Sequence, residues 1–403
     1  MSDLYSMSTV KGFQFWGAHI GIKSKRRDLG LIYSEVPSSE ATLFTRNLVV
    51  AEPIKLMRKR NPKGKAQAIV INSGNANACT GRQGMKGAQT MVKTAAKELD
   101  IDPNHVIIAS TGVIGHAFPT EKVVQGIKEN VRKLSERRVA SNLLANAILT
   151  TDTFPKEEYL NFKLGKTQVN MAGVAKGSGM IHPNMGTMLS FIVSDVAISP
   201  ELLDEALREV TDKTFNMITV DGDTSTNDMV SVLCNGMAGN KEITEKNEYY
   251  EKFKKQLHRV CMSLAKLIVS DGEGSTKFIE YEVKGAKSEE DARKVINTVS
   301  DSSLVKTAIF GRDPNWGRIL AAAGRSGADF DPEKTDLHMG SKKLLQLLKN
   351  GQPTGENLTQ LKKMMRSTHI RIVLNLKAGE HSAIGWGSDL SYEYVRINAE
   401  YTT

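Results

Sequence analysis

The sequence lacks the long apolar run that a membrane helix needs, and it contains few cysteines. No apolar stretch approaches the roughly 18 to 20 residues that a membrane span requires. The N-terminal stretch MSDLYSMSTVKGFQFWGAHIGIK interrupts every apolar run with polar residues, so no targeting signal is predicted. The three cysteines, Cys79, Cys234 and Cys261, are widely spaced and include no Cys-x-x-Cys pair, which argues against a structural zinc site and dithiol chemistry. We expect a cytoplasmic protein without a membrane partner.

Several catalytic motifs are also missing. The chain contains no G-x-x-x-x-G-K-[ST], no H-E-x-x-H, no G-x-S-x-G and no complete G-x-G-x-x-G after a strand. These absences weigh against nucleotide hydrolysis, zinc proteolysis and the α/β-hydrolase mechanism. The eight histidines are scattered and none is paired at metal-ligand spacing, so we expect no metal and no cofactor.

Positive charge is in excess, with a formal net charge of +9 and local basic runs at Lys23–Arg27 and Lys55–Lys65. Such runs could contact phosphates or anionic substrates. A solvated lysine-rich surface is the favoured interpretation, because no helix-turn-helix, RNP or zinc-finger pattern accompanies the charge and aromatic residues make up only 6% of the chain. We expect no nucleic-acid partner, and the charge leaves the function open.

The hydrophobic pattern predicts a mixed α/β protein rather than a regular βαβ array. With 403 residues, of which 40% are hydrophobic, the chain can bury a large core. HIGIKS and LGLIYSE alternate like a hairpin, and AIVIN, HVIIAS and SFIVSDVAI are typical of buried strands. Helices are predicted over about 85–99, 120–134 and 247–270, from Ser199-Pro200-Glu201 onward and after Ser288, and the C-terminal segment from 382 onward is predicted to be strand.

Clusters of Gly, Thr, Ser and Asn follow the apolar runs. They are INSGNANACTG (71–81), STGVIG (110–115), LTTDTFPK (149–156), AKGSGMIHPNMGTML (175–189), DGDTSTND (221–228), SDGEGSTK (270–277) and GRDPNWGR (311–318). Any one of them alone is more often an ordinary turn. Together they suggest a cleft lined by backbone amides and small hydroxyls.

The 175–189 cluster is the most informative, because Thr187 immediately precedes the apolar run MLSFIV. A threonine held there could attack the carbonyl of Gly186, whose missing side chain makes the strained turn easier. Hydrolysis of the resulting ester would free a new N-terminal threonine, which carries a nucleophilic hydroxyl and its own basic amine. The alternative is that Thr187 merely begins a strand, and spacing alone favours that alternative.

In their order along the chain, these motifs resemble the ornithine acetyltransferases (glutamate N-acetyltransferases) of the arginine pathway. The resemblance runs nearly end to end, through NSGNANACTG, STGVIG, KGSGMI, SDGEG and DPNWGR. It implies an α/β fold of layered N-terminal-nucleophile-like sheets flanked by helices, of the ornithine acetyltransferase/DmpA-like kind. It also implies transfer of an acetyl group from N2-acetyl-L-ornithine to L-glutamate.

The resemblance assigns roles to particular residues. It makes Thr187 the nucleophile, with self-cleavage between Gly186 and Thr187 into an α chain 1–186 and a β chain 187–403, and it makes Thr111 and Gly112 the oxyanion hole. The substrate-binding positions that it implies are Thr150, Lys176, Thr187, Glu273, Asn398 and Thr403. The family usually has alanine before the nucleophile, so Gly186 leaves the rate of cleavage open.

Alternatives remain at the level of the sequence. A second hypothesis within the family is that acetyl-CoA also serves as a donor, which would make the enzyme bifunctional. A self-processing N-terminal-nucleophile aminopeptidase or amidohydrolase is the main rival, and a non-enzymatic binding protein with the same fold is another. The family resemblance further implies an α2β2 heterotetramer of the cleaved chains.

Overall fold

The structure is a computed structural model that describes residues 6–60, 64–182, 188–355 and 357–400. The described strands are β1 Phe13–Ala18, β2 Leu29–Phe44, β3 Lys65–Asn75, β4 Val106–Val113, β5 Lys156–Leu164, β6 Thr167–Lys176, β7 Leu189–Ser194, β8 Ile218–Thr219, β9 Met229–Cys234, β10 Phe278–Ala286, β11 Asp336–Gly340, β12 Leu344–Lys349, β13 Gln352–Pro353, β14 His369–Asn375 and β15 His381–Ser388. The described helices are α1 Glu52–Arg58, α2 Gly81–Leu99, α3 Thr120–Asn130, α4 Arg138–Ala147, α5 Pro200–Asp212, α6 Glu248–Ser270, α7 Glu289–Ser300, α8 Ser303–Gly311, α9 Gly317–Gly324, α10 Leu358–Met364 and α11 Tyr392–Glu400.

The strands form two sheets. The first has the order β4-β3-β2-β9-β7-β6-β5, with β1 paired to β2, and the second has the order β13-β12-β11-β14-β10-β15-β8. Helix α6 packs on β5 and β6 of the first sheet and also contacts β8 and β15 of the second. Because a sheet buries an apolar face against another layer, this helix completes the core on both sides. The predicted mixed α/β fold of layered sheets flanked by helices is confirmed.

The first sheet is built from both sides of residue 186. Strands β7 and β9 lie between β2 and β6, so that two strands from the second half of the chain separate two groups of strands from the first half. Strand β7 is buried along its whole length, as predicted for a strand that is covered on both faces. All of the second sheet comes from residues after 188.

Helix starts follow the capping signals of the sequence. The Ser199 hydroxyl accepts a hydrogen bond from the Leu202 N–H at 3.4 Å, with Pro200 as the first helical residue of α5. Asn247 caps α6, and Ser288 caps α7 through the Asp291 N–H. The predicted helices in these regions, and those at α2 and α3, are confirmed.

Two predictions about local structure are wrong. The segment HIGIKS is not a strand; the partner of β2 is instead β1, in the register Phe13↔Ser34 to Ala18↔Leu29. The C-terminal segment is strand only as far as Ser388, and residues 392–400 form α11. After β15 the Ser391 hydroxyl accepts hydrogen bonds from the Glu393 and Tyr394 N–H groups, at 3.1 and 3.4 Å, and these bonds favour the start of a helix at this point.

Candidate active site

A cleft of ≈ 150 Å³ brings together residues from distant parts of the chain. Its lining includes the sequence-predicted residues Thr111, Gly112, Thr150, Lys176, Glu273 and Asn398, joined by Ile114, Thr151, Gly179, Met180, Ser225, Thr226 and Asn227. The predicted residues Gly186, Thr187 and Thr403 lie outside the described residues. Strands β4 and β6 end at the cleft, the loop before β9 lines it, and Glu273 follows α6.

Thr111 and Gly112 lie near the end of β4, beside the end of β3. The strands pair in parallel through Ser73↔Thr111 and Gly74↔Gly112. Gly112 has a φ of +133°, and a Cβ built there would lie 2.3 Å from the carbonyl carbon of Gly74. The close approach of the two backbones therefore requires glycine at this position.

Lys176 is a buried cation at the centre of the cleft. Its Nζ lies 3.5 Å from the Thr111 hydroxyl and 4.0 Å from an oxygen of Asp152. Burial lowers the pKa of the Lys176 ammonium, and the Asp152 carboxylate opposes that shift. An anionic substrate group would therefore meet a cation that is only weakly solvated.

A buried ion triad lies behind the cleft. The Lys156 Nζ donates to Asp152 at 2.7 Å and to Asp271 at 2.6 Å, and all three side chains are buried. Asp152 also accepts from the Thr150 N–H at 2.9 Å and from the Gly177 N–H at 2.7 Å. Burial alone would raise the pKa of Asp152, but the neighbouring lysines lower it to about 2. Asp152 thus holds the backbone at Thr150 and at Gly177 with a carboxylate whose low pKa keeps it ionised at neutral pH.

Glu273 also lines the cleft and is held by hydrogen bonds. The Asn398 side-chain amide donates to Glu273 Oε2 at 2.8 Å, and the Glu273 N–H donates to the Ser178 carbonyl at 3.0 Å. A Cβ on Gly179 would lie 2.3 Å from the Glu273 carboxyl carbon. The absence of a side chain at Gly179 therefore leaves the space that the carboxylate occupies.

Two aspartates hold the described ends of the segment that carries Gly186 and Thr187. Asp221 accepts from the Met180 N–H at 2.6 Å and the Ile181 N–H at 2.9 Å, and burial raises the pKa of Asp221 to about 6. Asp228 accepts from the Met188 N–H at 2.9 Å, and burial raises the pKa of Asp228 well above its usual range.

Five charged residues at or near the cleft were not predicted from the sequence: Asp152, Lys156, Asp271, Asp221 and Asp228. Each of them lies inside one of the quoted clusters, LTTDTFPK, SDGEGSTK or DGDTSTND. The available signal was a charged residue in a cluster that follows a buried strand or helix. That signal could not show that the carboxylates are buried or which lysine they contact.

Within the described residues, no group of three His, Cys, Asp or Glu side chains is placed to hold a metal ion. None of the described helices combines the length and the apolar character needed to cross a bilayer.

The model of the ArgJ family matches residues 14–403. The chain belongs to the ArgJ family. This membership confirms the resemblance drawn from the motifs, and this ArgJ chain is an acetyltransferase of arginine biosynthesis.

A similar ArgJ sequence covers nearly the whole chain, and similar solved structures cover about half of it. The arginine biosynthesis bifunctional protein ArgJ of Caldanaerobacter subterraneus is 48% identical over 98% of this chain and 97% of its own. The solved ArgJ of Bacillus halodurans is 44% identical, covers 51% of this chain and 96% of its own, and has a TM-score of 0.49. The ornithine acetyltransferase of Mycobacterium tuberculosis, solved in complex with ornithine, is 30% identical, covers 44% of this chain and 94% of its own, and has a TM-score of 0.40.

Proposed function

We propose that this enzyme transfers the acetyl group of N2-acetyl-L-ornithine to L-glutamate through an acetyl ester on Thr187. The precursor would first cut itself between Gly186 and Thr187, giving an α chain 1–186 and a β chain 187–403. Donor deacetylation releases L-ornithine, and glutamate then takes the acetyl group and leaves as N-acetyl-L-glutamate.

One observation carries this proposal. Six residues that the family resemblance implies, from five separate parts of the chain, line a single cleft, and Met180, near one described end of segment 183–187, lines it too. The other described end, Met188, is bonded to Asp228, the residue after the cleft residue Asn227. The described chain on one side of the segment therefore lines the cleft, and on the other side it is bonded to a neighbour of the cleft lining.

The charges in the cleft suit an N-acetylated diamino acid and an amino-dicarboxylic acid. Lys176 offers an ammonium to a substrate carboxylate, and Glu273 offers a carboxylate to the side-chain ammonium of acetylornithine. The two groups line the same small cleft, so together they would orient the substrate as well as bind it.

The chemistry needs no added cofactor. The Thr187 hydroxyl attacks the acetyl carbonyl while the Thr187 amine, with a reference pKa of about 7.7–8.0, takes its proton and returns it to the leaving ornithine amine. Thr111 and Gly112 would stabilise the oxyanion of each tetrahedral intermediate with a hydroxyl and a backbone N–H.

Substitution of the nucleophile tests the proposal. The Thr187→Ala variant should stay uncut, give a single band on a denaturing gel and transfer no acetyl groups. Thr187→Ser is the matched control, because it keeps both a hydroxyl and an amine, and it should still be cut. Two bands from Thr187→Ala, or full activity of an uncut wild-type chain, would refute the proposal.

The rival hydrolase would pass the acyl group to water. The ionic groups Lys176 and Glu273 favour an amino acid as acceptor. Turnover of a panel of peptide amides should fall well below turnover of acetylornithine with glutamate, and the reverse order would favour the hydrolase.

We also propose that the cleaved enzyme is an α2β2 heterotetramer, which light scattering would detect as a mass about twice the 44.2 kDa of one chain.

A further inference from the structure

Asn227 lines the cleft but has no part in the chemistry proposed above. Its side chain is 4% exposed, and it lies two residues before the start of β9. The Asn227 Nδ2 group donates to the Ala76 carbonyl at 2.7 Å and to the Ser110 carbonyl at 2.9 Å. Both acceptors belong to the first half of the chain. One carboxamide therefore joins the segment before β9 to the chain near the ends of β3 and β4.

The Asn227 carboxamide is held in one orientation by the two residues before it. The Thr226 hydroxyl donates to Asn227 Oδ1, and the Asn227 N–H donates to the Ser225 hydroxyl at 3.0 Å. With Oδ1 engaged as an acceptor, the Nδ2 group uses both of its N–H bonds on the two carbonyls. A buried amide whose donors and acceptor are all used holds the groups that it contacts in place.

The two carbonyls that Asn227 binds flank the predicted oxyanion hole. Ser110 immediately precedes the two oxyanion-hole residues on β4. Val113 immediately follows them, and its carbonyl accepts from the Ala76 N–H at 3.0 Å. The Asn227 amide thus reaches the backbone before the hole directly and the backbone after it through Ala76. A shift of this amide would move both predicted oxyanion donors together.

The residue after Asn227 reaches the strand that follows the proposed nucleophile. Asp228 accepts from the Met188 N–H at 2.9 Å, and Met188 is the residue after Thr187 in the sequence. In the first sheet, β3, β2 and β9 separate β4 from β7. The strand with the predicted oxyanion hole is therefore not a neighbour of the strand after the nucleophile. The two adjacent side chains of Asn227 and Asp228 connect them.

We propose that Asn227 is a positioning residue that holds the oxyanion hole at the correct distance from Thr187. This inference rests on the proposed function, because acetyl transfer needs Thr111 and Gly112 to face the carbonyl that Thr187 attacks. Oxyanion stabilisation depends on donors that are placed in advance where the charge develops. A misplacement of about 1 Å can lower a rate about 100-fold. Asn227 acts through the backbone of β4 and not on the substrate.

Paired alanine substitutions at the two ends of β9 test the proposal on the full-length, processed enzyme. Asn235→Ala is the matched control, because Asn235 is also buried, directly follows β9 and donates from Nδ2 to the Lys11 carbonyl at 2.8 Å. The kcat for transfer from acetylornithine to glutamate is divided by the cleaved fraction on a denaturing gel. It should fall about 10- to 100-fold in Asn227→Ala and stay unchanged in Asn235→Ala, while the urea midpoints of both variants fall by similar amounts.

Three further measurements separate positioning from binding and folding. L-ornithine has no acetyl carbonyl, so its Kd in titration calorimetry should be the same for the wild type and Asn227→Ala. In a double-mutant cycle, Asn227→Ala should lower kcat less in a Thr111→Ala background than in the wild type, because both substitutions impair the same oxyanion hole. Asn227→Ala should also be cut more slowly than Asn235→Ala, because the same hydroxyl makes the proposed cut.

Asn227→Ser replaces Asn227→Ala in every measurement if the alanine variant is insoluble, because a serine leaves room for a water molecule that can bridge to the two carbonyls. The same direction of change is expected, since a bridging water fixes the backbone of β4 less firmly than the amide does.

Four results would overturn the inference. These are an unchanged kcat in Asn227→Ala, an equal fall of kcat in Asn235→Ala, additive effects of Asn227→Ala and Thr111→Ala, and an L-ornithine Kd that weakens as much as kcat falls. The last result would make Asn227 a substrate-binding residue. Acetyl transfer by a wild-type chain that is never cut would reject the proposed function, and this inference with it. Any of the four results in a wild-type background that is cut and active rejects the inference alone.

Discussion

Gly112 and Gly179 line the same cleft, but a methyl group at each position would meet different neighbours. At Gly112 the added Cβ would lie 2.3 Å from the carbonyl carbon of Gly74, which is fixed in β3. At Gly179 it would lie 2.3 Å from the Glu273 carboxyl carbon, at the end of a flexible side chain. Backbone cannot move aside at low energetic cost, whereas a carboxylate can rotate away.

Gly112→Ala should therefore lower the free energy of unfolding by about 2–5 kcal/mol, because it combines overpacking with a strained φ. Gly179→Ala should change the free energy of unfolding by less than about 1 kcal/mol. It should nevertheless reduce the rate of acetyl transfer, because the added methyl group displaces the Glu273 carboxylate. Urea denaturation and activity assays on both variants measure the contrast. The assignment of these two glycines is wrong if Gly179→Ala keeps full activity.

Lys156 neutralises two buried carboxylates, so its removal should lower the stability of the fold. Lys156→Met should destabilise the fold by about 3–5 kcal/mol, because Asp152 and Asp271 would be left without their shared cation. Lys284→Met, which removes a half-exposed lysine paired with Glu282, is the control and should cost at most about 1 kcal/mol.

The same substitution should alter the dependence of stability on pH. The pKa of Asp152 is lowered to about 2, so its ionised form stabilises the folded protein fully above the unfolded pKa of about 3.9, and this contribution is lost as the pH falls towards 2. Lys156→Met weakens that contribution. The difference in free energy of unfolding between the variant and the wild type should therefore become smaller as the pH is lowered. Urea midpoints at pH 7 and at about pH 2.5, inside the window between the folded and unfolded pKa, measure this difference, and a difference that widens at the lower pH would contradict the role given to the triad.

At the scale of single residues, the sequence predicted the members of the cleft but not what supports them. Thr111, Lys176 and Glu273 were found through motifs that resemble a known family. The triad was missed because residue 271 contacts residue 156 only after α6 has packed across the first sheet. Such pairing depends on tertiary packing, which local patterns do not record.

At the scale of elements, the capping signals succeeded and strand propensity failed. Ser199 and Ser288 predicted helix starts because their hydroxyls bond locally, within three residues. Tyr and Val near the C-terminus suggested a strand, yet propensity of this kind reflects packing on a sheet more than an intrinsic backbone preference. The Ser391 hydroxyl caps the last segment locally, and that segment forms α11, which brings Asn398 to Glu273.

Helix α11 has no buried residue, so it should contribute to substrate binding more than to stability. A chain ending at Ser391 should unfold at nearly the same urea concentration as the wild type. Asn398→Ala alone should raise the KM for acetylornithine about 10- to 100-fold, because Glu273 loses a charge-assisted hydrogen bond. Val395→Ala, on the same helix and 62% exposed, is the matched control, and an equal effect there would show that the helix acts only as a whole.

At the scale of the whole molecule, the order of strands in the first sheet predicts that the two fragments of the proposed cleavage stay associated. Strand β9 pairs with β2 from Ser39↔Cys234 to Phe44↔Met229, and β7 pairs with β6 from Met171↔Ser194 to Lys176↔Leu189. The sequence predicted that both halves share one core but not this interleaved order, because strand pairing over long separations leaves no local signal.

If the chain is cut between residues 186 and 187 as we propose, separation of the two fragments would break both of these strand pairings and split the strands of the first half into two groups. The fragments should therefore elute as one peak in native size-exclusion chromatography while giving two bands on a denaturing gel. The uncut Thr187→Ala chain is the control and should elute at the same volume, because cleavage removes no strand from the sheet. Expressed separately, residues 1–186 should fail to fold, since β5 and β6 reach β2 only through β7 and β9. A soluble, cooperatively unfolding 1–186 fragment would show that the shared sheet is not needed to hold the halves together.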